Sequence, residues 1–120
     1  MSKISFLVDE NTTHAIADQL RRLQPDITIL NVGDYLAPSF GVLDPDILCW
    51  LEKEEYCLIT NNRRTMPKHL KDHLASGRHV PGIFILRPRA SIGQIIDEFL
   101  LIWKASVKEE YRDRIVYIPF

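Results

Sequence analysis

Short, almost unbroken apolar runs alternate along the chain with stretches in which apolar residues return every three or four positions. Residues 4–8, 27–32, 56–60, 82–86 and 114–118 are the runs, and runs of this kind read as strands covered on both faces. The periodic stretches read as helices. The first starts at Thr12 or Thr13, carries Ile16, Leu20 and Leu23 on one side, and is closed by Pro25. Asp44-Pro45 opens the second, with Ile47, Leu48 and Leu51 inward, because proline suits the first helical position. A third spans about residues 67–76 and ends at Gly77. Ser91 and Gln94 form a capping box for the fourth, whose Ile92, Ile95, Ile96, Phe99, Leu100 and Trp103 make one broad apolar face. Residues 33–43, with Pro38 and Gly41, read as a loop near the sheet's carboxyl edge. Strands alternating with helices predict an α/β chain: residues 1–120 as one three-layer α/β/α domain with a mostly parallel sheet of about five strands, the last at an edge.

Composition changes little in that picture. With 120 residues, 46% of them hydrophobic, the chain can bury roughly two-thirds of its unfolded surface. No apolar run approaches the ~20 residues that span a bilayer, and the N-terminus lacks the pattern of a signal peptide. Cys49 and Cys57 lie outside any paired metal-ligand spacing and read as buried, reduced thiols of a cytoplasmic protein.

Charge changes more. The net charge of -1 conceals a basic segment, residues 61–90, in which Arg63, Arg64, Lys68, Lys71, Arg78, Arg87 and Arg89 face a single acid, Asp72. The other residues are correspondingly acidic. Such a segment attracts polyanions and positions them through phosphate contacts, although many charge runs are merely solvated helix faces. It begins immediately after two asparagines that end an apolar run, Asn61 and Asn62.

Those asparagines belong to the candidate chemistry. In parallel sheets, strand ends on the carboxyl edge carry the site. Asp9 ends the first run, Asn61 and Asn62 end the third, and Asp44 begins a helix descending from that same edge. Mg²⁺ or Mn²⁺ takes hard oxygens, commonly one or two carboxylates, with water and phosphate completing the shell. Each residue also has a plainer role. Asp44 before Pro45 suits a helix N-cap, Asp9 and Glu10 suit a helix N-terminus, and the asparagines suit a turn. His69 and His73 stand four apart, a spacing compatible with metal, yet solvent-facing members of the basic patch are the expected reading. Trp50 and Trp103 are expected in the core.

Three motifs in order, Val8-Asp9-Glu10-Asn11, Asp44-Pro45-Asp46-Ile47-Leu48 and Ile59-Thr60-Asn61-Asn62, resemble the pattern of the PIN-like superfamily, particularly its small members encoded beside antitoxin-type genes. The match runs over about residues 4–86. The resemblance implies a Mg²⁺- or Mn²⁺-dependent ribonuclease of toxin–antitoxin type, with Asp9 and Asp44 at the acidic ligand positions. Asn62 falls where the pattern has its third aspartate, a further catalytic position, and Thr12-Thr13 replaces the usual Leu-Pro. Arg63, Arg64 and Lys68 are the residues expected to hold RNA. An antitoxin-like protein is an implied partner, no membrane is, and self-association is left open. The alternative is a catalytically degenerate PIN-like module that binds RNA or protein without cleavage. A phosphoacceptor receiver domain is rejected, because the position three before Met66-Pro67 holds Arg63, which cannot accept a phosphoryl group.

Overall fold

The computed structural model describes residues 3–120. Five strands, β1 (Phe6–Val8), β2 (Ile29–Asn31), β3 (Cys57–Thr60), β4 (Ile83–Leu86) and β5 (Ile115–Ile118), form one sheet in the order β2-β1-β3-β4-β5. Every pairing is parallel, so the sheet is wholly rather than mostly so, and β5 lies at an edge as expected. Four helices, α1 (Ala15–Leu23), α2 (Asp44–Glu54), α3 (Met66–Ala75) and α4 (Ile92–Ala105), connect the strands.

Full burial of the central strands hides a strict division of labour. Phe6, Val8, Ile59, Phe84 and Leu86 point into one core, where Ile16 and Leu20 of α1 and Ile96 and Phe99 of α4 cover them. Leu7, Leu58, Ile83 and Ile85 point the other way, against Ile47, Leu48 and Leu51 of α2 and Met66 and Leu70 of α3. Side chains alternate across a strand, so a slip of one residue would exchange the two cores; the register Phe6–Cys57 and Leu58–Ile83 is thereby fixed. The larger core centres on Phe84, whose ring meets Phe99 edge-on at 5.4 Å and Tyr111 at 5.0 Å. Gly82 is required where β4 begins, since a Cβ there would lie 2.8 Å from the Tyr111 Cβ.

Helix α4 starts as its sequence predicts. The Ser91 hydroxyl accepts from the Gln94 N–H at 3.1 Å, and the Gln94 side chain accepts from the Ser91 N–H at 3.0 Å. Replacing Ser91 by alanine should lower stability by about 1 kcal/mol, read as the shift of a denaturant midpoint at unchanged slope.

Three helix starts differ from the expectation. Helix α1 begins at Ala15 with His14 at its cap position, because the chain first turns at residues 10–12, where the Thr12 N–H donates to the Asp9 carbonyl. Asp44 is inside α2 rather than its cap; Leu43 holds the extended cap position, and the Asp44 side chain makes no capping bond. Helix α3 starts at Met66 after a turn closed by Asn62, whose side-chain oxygen accepts from the Thr65 N–H. Cys57 is buried, as expected, and burial pushes its thiol up to about 12. Cys49 is only half-buried, with a guanidinium nitrogen of Arg78 at 2.8 Å from its sulfur. Trp103 is buried, whereas Trp50 is half-buried against Tyr56. Among the described residues no helix is long and apolar enough to cross a membrane.

Candidate functional site

The order β2-β1-β3 makes the carboxyl ends of β1 and β3 a topological switch point: the connection leaving β1 runs to one side of it and the connection leaving β2 returns to the other. Loops diverge there and leave a crevice, the ordinary ligand site of doubly wound sheets. Here the crevice is a cleft of about 380 Å³ lined by Asp9, Glu10, Asp44, Asn62, Arg63 and Arg64 among others. Asp9, Asp44, Asn62, Arg63 and Arg64 therefore meet, as the sequence suggests. Lys68 stands apart on α3, largely exposed, and pairs with Asp72 one turn later at 3.6 Å.

One hydrogen-bonded path joins the two carboxylates. Asp9 follows β1 and is buried; its Oδ1 accepts from the Glu10 N–H at 2.8 Å and its Oδ2 from the Thr60 hydroxyl at 2.8 Å. The same hydroxyl accepts from the Asn62 N–H at 3.1 Å. The Asn62 amide then donates to Asp44 Oδ2 at 3.0 Å and to the Thr65 hydroxyl at 2.8 Å. His69 Nε2 lies 3.5 Å from that same Asp44 oxygen. Burial raises the Asp44 pKa above the ordinary carboxylate value, and the like charge on Asp9 adds to it, against the opposing pull of His69 and Asn62.

That shift has a sign that can be checked. A raised pKa means the folded state holds the Asp44 proton more tightly than the unfolded chain does. Charging Asp44 therefore destabilises the fold above the folded pKa, and the penalty disappears as pH falls below the unfolded value. Asp44→Asn should melt higher than the wild type at neutral pH, with the difference closing below about pH 4, where the carboxyl of the wild type is neutral in both states.

The sequence missed several parts of this arrangement. Thr60 is completely buried at the end of β3, and its position in Thr-Asn-Asn was the available signal: a hydroxyl that ends an apolar run needs a polar partner. Glu10 lines the cleft, but its Oε1 accepts from the Gly41 N–H at 2.7 Å, so it ties down the loop from β2 to α2. Asp46 is exposed and does not line the cleft. The solvent-facing reading of the histidines is corrected. His73 is buried, with Nε2 3.0 Å from the His79 carbonyl and 3.2 Å from Glu52, and His69 is turned onto Asp44. The four-residue spacing thus delivers the two rings to different partners.

For a divalent cation, the donor set fits one kind of site. Among the described residues no group of three or more His, Cys, Asp or Glu side chains gathers as a metal cage would require. Two carboxylates in one cleft match Mg²⁺, which keeps most of its water and needs one or two such ligands plus phosphate oxygens. Asn62 turns its N–H₂ group toward Asp44 while its oxygen accepts from the Thr65 N–H, so the amide balances the carboxylate by donating to it. A second cleft of about 560 Å³, bounded by Thr12, Arg87 and Pro88, adjoins the first through Asn11, Asn61 and Arg63. Compared with protein-family models, with curated proteins and with solved structures, the chain matches none.

Proposed function

We propose that this chain is a PIN-like protein of toxin–antitoxin type whose switch-point cleft binds RNA and cleaves its phosphodiesters with Mg²⁺ or Mn²⁺ held at Asp9 and Asp44. The observation that carries the reading is the coexistence of the Asp9 and Asp44 carboxylates with two arginines, Arg63 and Arg64, in one cleft whose third acid, Glu10, is engaged by the Gly41 N–H. Carboxylates alone repel a phosphodiester, and arginines alone would only bind it. Their combination suits a cation bridged to a phosphate whose flanking charges are neutralised. When bound, the ion supplies activation of the attacking water and charge for the leaving oxygen. The chain's own part is positioning: Thr60 and the Glu10 N–H orient Asp9, and Asn62 with His69 orients Asp44.

The test is cleavage of end-labelled single-stranded RNA in Mn²⁺ and in Mg²⁺, with EDTA as the parallel lane. Products that disappear in EDTA are the expected result; absence of products from folded protein in either ion rejects catalysis. A second reading, a degenerate PIN-like module that binds RNA or an antitoxin-like protein without cleavage, has one observation in its favour. The 3.0 Å bond from Asn62 to Asp44 stabilises the carboxylate without an ion.

A further inference from the structure

The second cleft, of about 560 Å³, differs from the first in charge. In the first, Asp9, Glu10 and Asp44 oppose Arg63 and Arg64, so a phosphate there needs a cation between it and the carboxylates. The polar lining of the second is Asn11, Thr12, Thr13, Asn61, Arg63 and Arg87, with two guanidinium groups and no carboxylate. A metal ion is repelled there, and an anion meets only cations and neutral donors.

Both arginines are available to a ligand. Arg87 Nε donates to the Pro119 carbonyl at 2.7 Å, and its guanidinium carbon lies 5.5 Å from the centre of the Tyr117 ring. Those contacts hold the group at the end of β4, and among the described residues its two terminal nitrogens have no protein partner. The arginines that form ion pairs among the described residues are Arg21, Arg78 and Arg112; Arg63 and Arg87 form none. A guanidinium fork matches two oxygens of one phosphate.

Thr12 is a second, independent sign of a ligand. The residue is 4% exposed and lines the cleft, yet its buried Oγ1 has no hydrogen-bond partner. Buried hydroxyls are nearly always bonded, because one that is not has lost water and gained nothing. Helix α1 begins three residues later, and His14 at its cap position makes no capping bond. The Ala15 N–H reaches the Thr13 hydroxyl only at 3.3 Å. The positive helix end beside Thr13 is therefore weakly capped, which favours an anion at that place.

We infer that the second cleft is a metal-independent phosphate site, in which Arg63 and Arg87 hold the oxygens and the Thr12 hydroxyl, turned about χ1 from its covered position, donates to one of them. Asn11, Asn61 and Arg63 line both clefts, so the phosphate taken here is a neighbour, along one strand, of the phosphodiester at Asp9 and Asp44. That last step rests on the RNA reading of the first cleft; the phosphate site itself does not.

Two probes, both used in EDTA, separate the site from that reading. The first is inorganic phosphate. It should raise the melting temperature of the wild type above its value in KCl of equal ionic strength, and should raise it less in Arg87→Gln and in Thr12→Val. Arg87→Lys also loses the Nε bond to Pro119 but keeps the charge, and should respond more than Arg87→Gln. Thr12→Val has a second signature: with no bond to lose, it should melt no lower than the wild type without phosphate. The second probe is a short end-labelled single-stranded RNA, followed by fluorescence anisotropy across a KCl series. Arg87→Gln should weaken its binding about tenfold and flatten the slope of log K against log [KCl] by about 0.7, the share of one phosphate on a single strand. Lys71→Gln, on α3 and outside both clefts, should leave that slope nearer the wild-type value. A response to inorganic phosphate that is equal in the wild type and in either folded variant, Arg87→Gln or Thr12→Val, overturns the site. RNA binding that Arg87→Gln and Lys71→Gln weaken alike also overturns it and leaves the RNA reading standing, as a diffuse basic surface would. The expected phosphate response from a wild type that binds no RNA supports the site, for a free phosphate or a small phosphorylated molecule, and removes the RNA reading.

Discussion

If the proposed function holds, Asp9→Ala should reduce RNA cleavage in Mn²⁺ by at least about 100-fold, because even groups that merely support a metal ligand cost 10–100-fold when removed, and Asp9 is proposed as a ligand itself. It is buried, its two oxygens are fixed by the Glu10 N–H and the Thr60 hydroxyl, and it follows β1 at the switch point. Truncation has a structural consequence too. It leaves the Glu10 N–H without its acceptor, which costs about 1–3 kcal/mol, and it relieves the repulsion that raises the Asp44 pKa. Asp9→Asn separates the two effects, since its amide oxygen can still accept from Glu10 while the charge is gone. Both variants are assayed against end-labelled RNA, with melting curves alongside. Loss of cleavage in a well-folded Asp9→Asn protein assigns the effect to charge. Retained cleavage in that variant removes Asp9 from the ligand set.

The part of this site that was legible in the sequence was the part carried by strand ends. Apolar runs located β1 and β3, and a parallel sheet forces their carboxyl ends to one edge, so Asp9 and Asn62 had to lie near one another once the two strands were neighbours. The capping box of α4 was equally legible, because both of its bonds are local. Contacts that depend on rotation about a helix or on a side chain's choice of partner were not. Thr60 reads as one more β-branched strand residue until its hydroxyl is seen between Asp9 and Asn62. His69 and His73 share a helix and a spacing, yet one turns to Asp44 of α2 and the other to Glu52 farther along α2, because α3 lies along that helix. Helix starts shifted for a related reason. A proline or an acid marks where a helix can begin, but the turn ahead of it, as at residues 10–12, decides where it does.

Asn62→Asp should make the site bind Mn²⁺ at least about tenfold more tightly, since one added unit charge attracts a dication 4 Å away by about 8 kcal/mol near a protein surface and desolvation together with repulsion from the two existing acids offsets most of it. The same charge destabilises the protein without metal. In the wild type, the Asn62 amide nitrogen donates to Asp44 Oδ2 at 3.0 Å; in the variant a carboxylate oxygen occupies that place. The buried Asp9 and the half-buried Asp44, which already repel, gain a third acid beside them, and the Asp44 pKa should rise further above its ordinary value. The melting temperature in EDTA should therefore fall, and saturating Mn²⁺ should raise it by more than it raises the wild type, since a ligand that binds only the folded state stabilises it in proportion to its affinity. A Mn²⁺-induced shift no larger in the variant than in the wild type would place the ion elsewhere than beside residue 62. Cleavage then distinguishes the two functional readings. If the wild type cuts RNA and Asn62→Asp binds metal more tightly, the amide is a tolerated member of a working site. If only the variant binds metal, and the wild type binds RNA without cutting it, Asn62 is the residue that replaced an ion with a hydrogen bond and left a binding protein.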